Sequence, residues 1–242
     1  MKILRITLLT IYLMSISLLG IGQDLEVDGH VKIGQLDVDN SQGNFVTRKN
    51  DGTLARRSIS SFQTKKYEIG EFAHGGIVFW IDETGEHGLV CSLSNLATDV
   101  RWYAGTCGNT RAYGDGPGAG KVNTAIIIAA HVAIGDDGNT YAARVCNEYL
   151  SVDPFNRGVS FNHGDWYLPS YAELQIMYDN KAAIETAAEQ LAFFGGEGFN
   201  DGIFWSSNET SDCFAAAWQF EIGFGGGGGK GIDRDVRAVR MF

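Results

Sequence analysis

The stretch Gly164-Asp165-Trp166-Tyr167-Leu168-Pro169-Ser170 constrains the fold more tightly than any other part of the chain. Ser170 and Glu173 match the Ser-x-x-Glu capping box, in which each side chain satisfies a first-turn N–H that would otherwise lack a partner. A helix therefore starts just after Ser170. Leu174, Met177 and Tyr178 put one apolar stripe on it, and good helix formers continue through residues 182–192 until Gly195-Gly196 stops the run. Beyond that point residues 203–206, 215–222 and 232–242 read as strands, with residues 223–231 predicted as a hairpin tip.

Upstream, residues 75–80 and 88–93 read as a β-hairpin joined by the turn formers Asp82-Glu83-Thr84-Gly85-Glu86-His87. Residues 102–120 are dominated by Gly, Asn, Asp and aromatics, which predicts a long ordered loop. Residues 121–133 and 141–150 are expected to be two helices separated by the turn Gly135-Asp136-Asp137-Gly138. Paired strands at both ends with helices between them make an α+β chain.

Gly75-Gly76-Ile77-Val78-Phe79-Trp80, the hairpin up to Gly88-Leu89-Val90, the Gly164–Ser170 stretch, Phe204-Trp205-Ser206-Ser207 and Val236-Arg237-Ala238-Val239-Arg240 together carry a resemblance. They resemble a bacterial extracellular domain of unknown function found at the C-terminus of collagen-like adhesins, a relative of C-type-lectin-like and sulfatase-activating-enzyme-like folds. The resemblance implies a C-type-lectin-like domain over residues 67–242, with N- and C-terminal strands in one sheet, flanking helices and long Gly-rich loops. It implies an architecture and a surface location more than an activity, because such folds carry many functions.

Residues 1–22 are laid out as a secretory signal peptide: Lys2 and Arg5, an uncharged apolar run over residues 6–21, then small residues around Gly20 and Gly22. An uncleaved anchor is the competing reading of the same run. Residues 23–66 alternate in short apolar steps broken by Asp28-Gly29 and Asp51-Gly52, the pattern of short strands and tight turns. That segment resembles the β-rich stalks that precede surface and fibre-tip domains, which implies a homotrimer as one arrangement; a loosely ordered leader is the other reading. Nineteen Lys+Arg against 29 Asp+Glu give a formal charge of -10, and losing Lys2 and Arg5 deepens it. Nucleic acid is therefore an unexpected partner, save for a local patch such as Lys230, Arg234, Arg237 and Arg240. No membrane contact is expected once the leader is removed.

Motifs with chemistry are few. The run Gly225–Gly229 before Lys230 lacks the glycine and the hydroxyl that a phosphate-binding loop needs at Phe224 and Gly231. The Asp37–Gly43 stretch places its glycine wrongly for an EF-hand. Calcium would suit loop oxygens around Asp115, Asn208, Glu209 and Asp212, but the Glu-Pro-Asn and Trp-Asn-Asp motifs of calcium-dependent lectins are missing. No other cofactor is expected. The five histidines make no metal spacing, and Cys91, Cys107, Cys146 and Cys213 allow three full pairings that the sequence does not separate. Cys146 with His131 or His163 is the one nucleophile pair that spacing leaves open.

Trp102, Tyr103, Arg111, Tyr113 and Asp115 are the candidate ligand-binding residues, clustered in the Gly-rich loop where a rigid scaffold carries binding groups. Aromatic faces stack on sugars while Arg and Asp fix hydroxyls or charges. The expected function is noncatalytic recognition of an extracellular glycan or protein surface. A trimerising cap of a surface appendage is the alternative, and a hydrolase or oxidase the third reading.

Overall fold

The computed structural model describes residues 44–52, 54–58, 64–152, 162–200 and 202–242. The leader, and the alternation between Leu25 and Val38, lie outside the described residues. The chain divides into two compact units between Gln63 and Thr64. In the first, β1 (Asn44–Arg48) and β2 (Leu54–Ser58) form an antiparallel hairpin in the register Asn44 to Ser58. The Asp51-Gly52 signal is its turn: Gly52 adopts φ +89°, and its N–H donates to Lys49 O at 3.0 Å.

The second unit is α+β, with four α-helices among the described residues and two mostly antiparallel sheets. The first sheet has the order β13-β5-β4-β3, from β3 (Phe72–Ala73), β4 (Gly76–Ile81), β5 (Gly88–Cys91) and β13 (Val239–Met241). Its first and last strands in sequence thus share a sheet, as expected. The second sheet has the order β11-β10-β9-β12-β6, built from β6 (Ala97–Val100), β9 (Ile203–Ser211), β10 (Phe214–Gln219), β11 (Phe224–Gly229) and β12 (Arg234–Val236). A single parallel step joins β12 to β9, Asp235 lying opposite Phe204. β7 (Ser151–Val152) and β8 (Asn162–His163) form a short separate pair.

Three expectations are corrected here. Residues 232–242 are not one strand: the chain crosses from the second sheet to the first at Arg237. That guanidinium is fully buried over the Phe199 ring at 4.4 Å and donates to Ser92 O at 3.0 Å and Leu93 O at 2.9 Å. Gly225–Gly229 are not a hairpin tip but the body of β11, paired with β10 from Phe214–Gly229 to Gln219–Phe224. The helix after Ser170 is interrupted at Asn180 into α3 (Tyr171–Asp179) and α4 (Lys181–Gln190). There the Asn180 side-chain amide donates both to Phe79 O and to Ile176 O, drawing the backbone onto β4 at the break.

Before these come α1 (Ala119–Ile134) and α2 (Ala142–Glu148). The core forms two clusters: Val78, Val90, Trp102, Ile127, Tyr141, Trp166 and Trp205 in one, and Phe79, Leu174, Met177, Phe204, Trp218 and Phe220 in the other. Burial of such side chains is the main favourable term, at about 1.5–3 kcal/mol for each large apolar group. Trp205 and Trp166 also place their N–H groups, on Val100 O at 3.0 Å and His163 O at 2.9 Å, as buried indoles require.

Candidate functional site

The loop between Trp102 and Gly118 is fastened to the second sheet by buried polar groups. A Cys107–Cys213 disulfide closes its first turn onto the β9–β10 connection. Cys91 and Cys146 stay free and buried, so the full pairing that four cysteines allow does not form. They sit in different core clusters, Cys91 on β5 and Cys146 on α2.

Glu209 on β9 is the centre of the attachment. Its Oε1 accepts the Thr110 N–H at 2.9 Å and its Oε2 accepts the Arg111 N–H at 2.8 Å. Two consecutive backbone N–H groups converging on one carboxylate make an anion-binding nest, and Arg111, at φ +66°, bends the chain so that the second one points inward. A non-glycine residue in that region is strained by about 1–3 kcal/mol and persists only where its surroundings over-determine it. Lys230, fully buried at the end of β11, pairs with Glu209 and donates to Gly108 O at 2.9 Å and Asp212 O at 2.8 Å. Burial pushes the ammonium below the usual lysine range, and Glu209 opposes that shift.

Further along, Gly114 is held on both sides of its peptide. Asn123 of α1 accepts its N–H at 3.0 Å and donates to its carbonyl at 2.7 Å, while Asn208 of β9 donates to that same carbonyl at 2.8 Å. Asn208 also accepts the Tyr171 N–H at 2.7 Å, and Asp115 accepts the Ala172 N–H at 2.8 Å, so the loop caps the α3 N-terminus beside Ser170. The Ser170–Glu173 capping box is present. Fully buried Glu173 does more: it accepts N–H groups from Gly118 at 2.7 Å and Ser170 at 2.6 Å, and the Tyr167 hydroxyl at 2.9 Å. One carboxylate thereby joins the N-termini of α1 and α3, where helix dipoles favour negative charge. Desolvation nevertheless raises its pKa above the usual carboxylate value. Gly120 is needed beside it, since a Cβ there would lie 2.5 Å from Glu173 Oε2 and 2.5 Å from Leu168 O.

The five candidate residues separate accordingly. Trp102 is a correction: it is fully buried, its indole N–H donates to Ser206 O at 2.7 Å, and the Lys230 ammonium lies 4.5 Å from its ring. It supports the loop from beneath and offers no face to a ligand. Tyr103 is half-buried beside the Arg101 guanidinium at 5.6 Å. Arg111 is exposed, its side chain directed outward by the same turn that sends its N–H inward. Tyr113 is 52% exposed, its hydroxyl donating to Asn109 Oδ1 at 3.0 Å. Asp115 is exposed but keeps one oxygen on α3. Arg111 and Tyr113 are therefore two exposed side chains, two residues apart, on a braced loop.

The oxygens suggested for calcium are partly engaged elsewhere. Asp115, Asn208 and Glu209 converge on N–H donors rather than on one another, and the Asp212 carbonyl takes Lys230. Among the described residues no group of three or more His, Cys, Asp or Glu could hold a metal ion. The cationic patch is corrected as well, because Lys230 and Arg237 are buried. Cys146 makes a poor nucleophile: it is fully buried and desolvation holds its thiol well above the usual value. His131 is committed elsewhere, its Nε2 facing the Ala104 N–H at 3.4 Å. Among the described residues no helix is long and apolar enough to cross a membrane.

The sequence matches no protein-family model. It matches no curated protein either. A solved structure of a fimbrial protein from Bacteroides ovatus is similar at 15% identity and a TM-score of 0.47, with 82% of this chain and 48% of that chain covered. The chain thus spans about half the length of that protein.

Proposed function

We propose that residues 64–242 form a noncatalytic, lectin-like recognition module acting at the cell surface or outside the cell, and that it binds a glycan or another surface polymer through the loop carrying Arg111 and Tyr113. The observation that supports this reading is the bracing of that loop. Glu209, Asn123, Asn208 and the Cys107–Cys213 disulfide fix its backbone, while an exposed cation and a half-exposed aromatic ring remain on top. A loop already fixed in one conformation avoids the ordering cost of binding. An exposed tyrosine ring and an exposed guanidinium two residues apart on one loop suit a sugar carrying a carboxylate or sulfate, the ring stacking and the guanidinium pairing with the anion.

The test is a glycan and glycosaminoglycan array probed with the full chain and with Arg111→Ala and Tyr113→Ala, in calcium and in chelator. Selective binding that falls at least about tenfold in each variant, a loss of about 1.4 kcal/mol, supports the reading. Binding that both variants retain moves the site elsewhere, and a blank array from folded protein refutes the glycan reading.

A further inference from the structure

Helix α1 wears its polarity inside out. After Lys121 its polar residues are Asn123, Thr124 and His131, and all three are buried. Asn123 is bonded to Gly114 and to the Ser207 hydroxyl, Thr124 donates to Gly120 O and accepts the Leu168 N–H, and His131 faces the Ala104 N–H. The exposed residues are Lys121, Val122, Ala125, Ala129, Val132 and Ala133, so one charge in the first turn is the whole polar content of the outer face. Val122 is 62% and Val132 84% exposed. None of these apolar side chains belongs to either core cluster or packs against one.

The neighbouring helices turn the opposite way. Helix α2 exposes Asn147 and Glu148, α3 exposes Gln175 and Asp179, and α4 exposes Thr186, Glu189 and Gln190 beside Ala182. A helix that is apolar on its outer side as well as toward the core is ordinarily a covered helix.

The spacing says by what. Val122, Ala125, Ala129 and Val132 recur at intervals of three, four and three residues, which is the seam of a coiled coil. The series reads the same from either end about Ile127, which lies on the buried side. A foreign helix would not need that symmetry, whereas a two-fold contact sets one surface against itself and requires it. In an antiparallel pair Val122 meets Val132 of the other copy and Ala125 meets Ala129, with half-buried Ile126 and Ile128 beside the alanines. Charge selects the same direction. Lys121 stands in the first turn of its own helix, the end that disfavours a cation, and antiparallel pairing carries it to the C-terminal carbonyls of the other helix, which favour one. A parallel pair would instead set the two lysines and the two positive helix ends together.

We infer that the outer face of α1 is the docking surface for a second copy of this chain, the two helices packing antiparallel about a two-fold axis near Ile127. The seam from Val122 to Val132 is about 15 Å long and buries less than the roughly 1,600 Å² of a standard interface. Sedimentation equilibrium of the full chain from about 1 µM to about 1 mM therefore covers the expected affinity, and the parent should be a dimer at the top of that range. Val122→Lys and Val132→Glu each set charges against apolar partners and should each weaken association at least about tenfold. Both positions are exposed, so the far-UV circular dichroism should stay that of the parent. Together in one chain the two changes put a lysine opposite a glutamate at both ends of an antiparallel seam. Val122→Lys with Val132→Glu should thus recover association that Val122→Lys with Val132→Lys does not. A parent monomeric throughout, a trimeric mass, a dimer that the single variants leave intact, or a lysine–glutamate double variant as weak as the lysine–lysine one would each overturn the inference.

Discussion

Replacing Lys230 by Met should be among the most damaging single changes to this fold. The ammonium has three acceptors, the Glu209 carboxylate and the carbonyls of Gly108 and Asp212, and both charged side chains are fully buried. Met fills much the same volume, so packing over Trp102 is largely kept. What remains is a buried carboxylate supported only by the Thr110 and Arg111 N–H groups. Orphaning one member of a buried pair costs about 3–5 kcal/mol. For a unit of this size, each kcal/mol shifts the melting temperature by about 2–4 °C, so the fall should be roughly 6–20 °C. Urea unfolding with the disulfide intact gives the free energy directly. Adding Glu209→Gln to Lys230→Met removes the stranded charge and should recover part of the loss, giving a measurable coupling in the double-mutant cycle. A Lys230→Met chain within about 0.5 kcal/mol of the parent, the range of an ordinary surface change, would refute the reasoning. So would a double variant no more stable than the single one.

Two further outcomes follow from the same physics. Gly225→Ala would set a Cβ 1.5 Å from the Tyr171 hydroxyl, displacing a ring that packs edge-on with Trp218, and should cost about 1–3 kcal/mol in the same unfolding assay, as overpacking does; a neutral result would mean the ring moves freely. Burial, with Lys230 adding to it, lowers the pKa of His131 below its usual value. The unfolded chain then binds a proton that the folded chain refuses, so stability should fall as pH drops through 6.5 and level off below the folded pKa, with a slope of up to about 1.4 kcal/mol per pH unit. His74, lowered by burial and then by Arg240, adds in the same direction. His131→Phe should flatten its share of the slope, and an unchanged pH profile in that variant would contradict the assignment.

What the sequence revealed, and what it hid, divides by range. The Ser170–Glu173 capping box was legible because all its atoms lie within one helical turn, and the Asp51-Gly52 turn for the same reason. Trp102 was misread because its neighbours have the composition of a surface loop, while its burial is decided by Ser206 and Lys230, more than a hundred residues away. Strand β11 was hidden because a run of glycines has no polar and apolar alternation to read. Glu209 and Lys230 were read as a calcium oxygen and a surface cation because a charged residue beside turn formers reads as solvated, and only the fold brings the two together as a buried pair. No alternation along β9 could have singled them out, since residues 204–209 are all buried, polar and apolar alike. The cysteine pairing had no local signal at all, since the linked positions are 106 residues apart.

Recognition through Arg111 and Tyr113 requires the loop to be held in one conformation before any ligand arrives, and amide hydrogen exchange of Thr110, Arg111, Gly114 and Gly118 in the ligand-free chain tests that most directly. Their N–H groups donate to Glu209, Asn123 and Glu173, so they should exchange only through large-scale opening, with protection approaching that of the core strands. Protection at Thr110 and Arg111 should drop sharply in Lys230→Met. Exchange of all four amides at the rates of an open loop would contradict the account, because Arg111 and Tyr113 would then be displayed by a segment with no fixed shape.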